Sequence, residues 1–100
     1  MIFLVCCLLA LAVAAQAETR ALKSGYLVAV SEKAFDQCSG MIAAKDKEAF
    51  VKMQSAGLCG ITAPGVPVYV VETHLFKGRA EIRLQGSTGV LWTNIEAVMD

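Results

Sequence analysis

The sequence predicts a small α+β domain, a β-barrel or roll with a helical insertion, set behind an export signal. Three features point there. The chain opens on an uncharged apolar run, residues 31–57 carry helical periodicity, and from residue 58 short strand patterns separated by turn residues take over.

Residues 1–17 read as a signal peptide. Ile2 to Ala15 is a fourteen-residue run without charge, shorter than the roughly 20 residues a spanning helix needs and within the span of a signal core. It ends in the small-x-small pattern Ala15-Gln16-Ala17, so cleavage is expected before Glu18. The run departs from the usual signal in having no Lys or Arg ahead of it. An uncleaved anchor is one rival. Acylation at Cys6 or Cys7 is another, disfavoured because only five residues precede Cys6. The expectation is a periplasmic or secreted protein, residues 18–100, forming one domain with no stable membrane insertion after cleavage.

Gly25 to Val30 is rich in branched and aromatic residues and reads as the first strand. Ser31 then caps a short helix through Gln37 that ends near Ser39-Gly40. The clearest helix starts at the N-cap Asp46. Ala49, Phe50, Met53 and Ala56 fall on one face, while Lys47, Glu48, Lys52 and Ser55 fall on the other. Gly57 suits the left-handed position past its end. Leu58 to Thr62 reads as a short strand, Ala63-Pro64-Gly65 as a turn, and Val66 to Thr73 as a strong strand. Pro67 within it marks an edge or a strand start. Phe76 to Arg79 is a hairpin turn. Ala80, Ile82 and Leu84 then alternate with Glu81, Arg83 and Gln85, the first set inward. Gly86 to Gly89 turns the chain into Val90-Leu91-Trp92, and Ile95 to Val98 forms a closing helical turn.

From about Gly57 to Val98 the chain resembles the bacterial SH3-like modules of exported proteins. The resemblance rests on Gly65-x-Pro-Val-Tyr-Val-Val, on Gly78-x-Ala-Glu-Ile-Arg-Leu, and on Gly86-x-x-Gly-Val-Leu-Trp-Thr-Asn-x-Glu-Ala-Val. It covers about half of residues 18–100 and implies an SH3-like antiparallel β-barrel. Residues 31–57 depart from that pattern, extending or replacing the loop that often supplies the binding groove. No groove residue is carried over, and a shared fold assigns no function.

All nine basic and nine acidic side chains lie beyond residue 17, with signs alternating as in Lys45-Asp46-Lys47-Glu48. Nucleic-acid binding rests on clustered positive charge, so no nucleic-acid partner is expected. Cys38 and Cys59 are the cysteines remaining after cleavage. In an oxidising compartment an even count predicts a disulfide. Their spacing is unlike the Cys-x-x-Cys pattern of redox sites.

Catalytic and metal chemistry is poorly served. His74 is the single histidine, so any nucleophile–imidazole pair must use it. Glu72 and His74 share strand parity and offer two metal donors, whereas zinc sites take three or four protein ligands. Glu72 with Glu81, and Asp46 with Glu48, are carboxylate pairs whose plain reading is charge balance. Met41, Met53 and Met99 are too scattered for thioether coordination, and Gly86-Ser87-Thr88-Gly89 reads as a turn. No phosphate-binding loop or nucleophile elbow occurs. The expectation is a non-enzymatic protein without cofactor or metal.

The aromatic residues leave one candidate binding patch, Tyr69, Trp92 and the outward Arg83. The plainer reading has the helix covering Tyr69 and Trp92 in the core. Function is expected to be that of an exported binding module recognising an envelope protein or a cell-wall glycopeptide. The alternatives are a hydrolase inhibitor acting through the tip His74 to Arg79, and an accessory subunit of an envelope complex.

Overall fold

The structure, a computed structural model, describes residues 18–99. The expected signal peptide therefore lies outside the described residues. Among the described residues, six strands form one antiparallel sheet: β1 (Glu18–Ala21), β2 (Leu27–Ala29), β3 (Cys59–Ile61), β4 (Pro67–His74), β5 (Arg79–Leu84) and β6 (Val90–Asn94). Two α-helices, α1 (Glu32–Ala43) and α2 (Lys47–Ser55), lie between β2 and β3. Short 3₁₀ turns follow β4 at Leu75–Lys77 and β6 at Ile95–Ala97. None of these helices is long and apolar enough to cross a membrane.

The expected α+β class with a helical insertion holds, but the sheet is not closed into a barrel. Its order is β1-β4-β5-β6-β2-β3, so β1 and β3 are its edges among the described residues. Two causes are visible. Both edge strands are short, four and three residues, and the apolar face of β2 is sealed by helices instead of by sheet closure. Leu27 and Ala29 pack with Ala34, Phe35 and Cys38 of α1, with Phe50 and Met53 of α2 adding cover. A second core lies on the opposite face of the meander β4-β5-β6, where Val68, Ala80 and Ile82 meet Leu22, Ala97 and Val98. Ala80, Ile82, Thr93, Leu91 and Val28 lie on this face by register, and Glu81 and Trp92 lie on the other.

Local chemistry accounts for the helix boundaries. The Ser31 hydroxyl accepts from the Ala34 N–H and the Asp46 carboxylate from the Ala49 N–H, capping α1 and α2 as their sequences predict. α1 runs through Ser39-Gly40 to Ala43 rather than ending there, with Ala34, Phe35 and Cys38 as its buried residues. The turn between the helices falls instead on Lys45, which takes φ 58°. Gly57 has φ 75°, the left-handed conformation expected past the end of α2.

The helical insertion follows the second strand, not the first, since Glu18–Ala21 adds an edge strand beside β4. Its composition hides it. Glu-Thr-Arg-Ala has no apolar alternation, and the strand is defined by its pairing with Pro67–Val70. Pro67 accordingly marks the start of an interior strand.

Cys38 of α1 and Cys59 of β3 form the expected disulfide, with Cα atoms 6.8 Å apart. It ties the helical layer to the outermost strand. Two buried threonines close the remaining polar gaps. Thr62 Oγ1 donates to the Lys23 carbonyl and accepts from the Tyr26 N–H, and Thr93 Oγ1 donates to the Leu27 carbonyl.

Candidate functional site

The β4–β5 hairpin carries the features that call for explanation, and a β-bulge creates them. Val70 pairs with Ile82, but Glu72 pairs with Glu81, leaving Val71 as an extra residue in β4. Strict alternation from Val68 and Val70 would carry Glu72 and His74 onto the core face. The bulge reverses the parity, so Glu72 and His74 join Tyr69, Glu81 and Arg83 on the opposite face.

On that face the side chains meet closely. The His74 ring donates from Nε2 to Glu81 Oε2 at 2.7 Å, since a carboxylate can only accept. Glu72 Oε2 lies 3.9 Å from the same nitrogen. The imidazole reaches across β5 and stacks on Trp92 of β6, with centroids 5.2 Å apart and planes inclined 18°. Trp92 in turn packs against the core that contains the disulfide.

Register brings the expected patch residues Tyr69, Arg83 and Trp92 to one face. One face of each ring is already taken. The Arg83 guanidinium sits 4.6 Å from the Tyr69 centroid and donates to the Ser87 carbonyl. Trp92 is half-buried under His74. α1 packs on β2, β3 and β6, and it is Arg83 that lies over Tyr69.

The two most exposed large apolar side chains among the described residues stand at the hairpin tip. Leu75 is 72% exposed, and Phe76 at 109% is as exposed as in an extended reference peptide. A shallow concavity of about 370 Å³ runs along them, lined by Thr73, His74, Leu75, Phe76 and Lys77. The 3₁₀ turn is stopped by Gly78 at φ 67°, a conformation that favours glycine.

This tip is braced from below. Arg79, at the base, lies 4.7 Å from the Phe35 centroid of α1 and pairs with Glu32 and Asp36. Lys77 adds a contact to Glu32 at 3.2 Å. The segment His74 to Arg79 reads as a loop from sequence, but nothing in its composition signals that Leu75 and Phe76 both point away from the core. That follows from the 3₁₀ turn.

A second apolar cleft, about 350 Å³, lies between the helices, lined by Met41, Ile42, Phe50 and Val51 with Lys45, Asp46 and Lys47 at its rim. No family model matches the chain, and no curated protein or solved structure matches it.

Proposed function

We propose that this chain is an exported, non-enzymatic binding module that docks on an envelope protein through the Leu75–Phe76 tip. One observation carries the reading: two large apolar side chains stand fully out of the core on a hairpin braced by Arg79 and Lys77. Burying a Leu or Phe side chain is worth about 1.5–3 kcal/mol each. A folded domain that leaves both in water on a supported turn offers a preorganised anchor for a partner's pocket.

Export is supported by the apolar leader with its Ala-x-Ala site and by the Cys38–Cys59 disulfide. The SH3-like reading of residues 57–98 is supported by the β4-β5-β6 meander and the 3₁₀ turn that closes it. The non-enzymatic reading draws on the single histidine being held by carboxylates and on the bridged state of both cysteines in the fold. A protein partner is favoured over a glycopeptide because the exposed tip is apolar, while Arg83 and His74 each take one face of the Tyr69 and Trp92 rings.

The same tip favours a second reading, inhibition of a hydrolase by insertion into its cleft. A stapled domain presenting a stiff hairpin suits that use, and the partner's identity separates the two. The test compares immobilised wild-type protein with a Leu75→Ser/Phe76→Ser variant against a solubilised envelope extract. Wild type retains one stoichiometric protein that the variant loses. Equal retention by both would sink the tip as the docking element, and a retained hydrolase whose activity falls would favour inhibition.

A further inference from the structure

We propose that Glu72, His74 and Glu81 form a binding site for a divalent transition metal of the zinc class. The sequence offered these residues only in pairs, Glu72 with His74 and Glu72 with Glu81. The bulge at Val71 merges the pairs into one set, because it puts Glu72 and His74 on the face to which Glu81 already belongs. One ligand atom from each residue lies within 4.8 Å of the others.

The arrangement has three properties of a metal site. Glu72 and Glu81 stand directly opposite one another on neighbouring strands, a juxtaposition that like charges disfavour and a dication between them relieves. The donor set, one imidazole nitrogen and two carboxylate oxygens, suits zinc, copper(II) or nickel. Calcium and magnesium instead take oxygen-only sets. Spacing agrees as well. Ligand atoms about 2.1 Å from a tetrahedral zinc stand about 3.4 Å apart, and the two distances from His74 Nε2, 2.7 Å to Glu81 and 3.9 Å to Glu72, bracket that value.

The support beneath the ligands points the same way. Trp92 holds the imidazole plane, and Trp92 is itself held by the helical core. Glu72 is the exposed member, at 62%, and leaves the site open to solvent for entry of the ion and for a water as fourth ligand. On binding, the imidazole takes the tautomer with its proton on Nδ1, exchanged through solvent, so that the Nε2 lone pair goes to the metal while both carboxylates coordinate as anions. The site stands whether or not the tip docks on a protein. It would clamp β4 to β5 directly below Leu75.

Trp92 is the only tryptophan in the chain, so its emission reports on the ring stacked against it. The test titrates purified, oxidised protein with ZnCl2 by calorimetry and with CuCl2 by tryptophan quenching. One zinc per chain is expected, together with saturable quenching by copper. His74→Gln and Glu81→Gln should each weaken zinc at least tenfold, with far-UV circular dichroism confirming that the variants fold. Glu72→Gln, at an exposed position, serves where the others unfold and should also weaken binding. Absence of saturable binding up to millimolar zinc would overturn the site. So would wild-type affinity in folded His74→Gln or Glu72→Gln protein, because it puts the metal elsewhere.

Discussion

Replacing Cys38 and Cys59 together by alanine, or reducing the wild-type bridge, probes how the helical layer is held to the sheet. The bridge closes a loop with a sequence separation of 21 residues. In the chain-entropy model such a loop destabilises the unfolded state by about 3 kcal/mol. Both sulfurs are buried, and losing each one adds about 1 kcal/mol of apolar burial. Reduction keeps the sulfur atoms and isolates the first term. The double alanine variant loses both, for a total of about 5 kcal/mol, at the low end of the 5–15 kcal/mol net stability of whole domains. β3 also depends on this tie, since it is a three-residue edge strand paired to β2 alone. Urea and thermal unfolding of the oxidised, reduced and double-alanine proteins read these terms. Reduction should lower the melting temperature by at least 12 °C, at about 4 °C per kcal/mol for a domain of this size. A loss under 1 kcal/mol on reduction would refute the reasoning, showing that α1 and β3 hold together without the bridge.

Three further outcomes follow from the packing. Phe76→Ala should change unfolding free energy by no more than about 0.5 kcal/mol, because the ring has no core contact to lose. Its affinity for a captured partner should nevertheless fall about 30-fold or more, as expected for a buried anchor worth 2 kcal/mol. Thr62→Val removes a hydroxyl that serves both the Lys23 carbonyl and the Tyr26 N–H, and should destabilise by about 1–3 kcal/mol in urea titration. Arg79→Met keeps the aliphatic stem but loses Glu32, Asp36 and the Phe35 ring. It should cost about 1–2 kcal/mol and speed amide exchange in β5. Lysine at the same position should not restore the loss, since it lacks the planar two-carboxylate fork.

Where side chains signal their own environment, the sequence was readable. Ser31 and Asp46 cap the helices they were expected to cap, Gly57 takes the left-handed conformation, and Ala80 and Ile82 are buried as their alternation predicts, whereas Leu84, expected inward with them, is exposed near the end of β5. Cys38 and Cys59 pair as their count suggested. Features set by pairing rather than composition were not readable. Glu18–Ala21 is a strand because β4 offers it an edge. The open sheet reflects helices taking over the cover of β2, which no periodicity encodes. Most consequential is the bulge at Val71, one residue without a partner in a run that reads as uniform strand. It moves His74 to the opposite face and gathers Glu72, His74 and Glu81. Neither two-residue pairing in the sequence showed that the third member would join them.

The central claim is that Leu75 and Phe76 are where a partner docks. A photo-crosslinking amino acid at Phe76, with the same group at Lys52 on the exposed side of α2 as control, tests it most directly. Irradiation in an envelope extract should give one discrete protein adduct from position 76 and none from position 52. Absence of an adduct at 76, or the same adducts from both positions, would contradict the account.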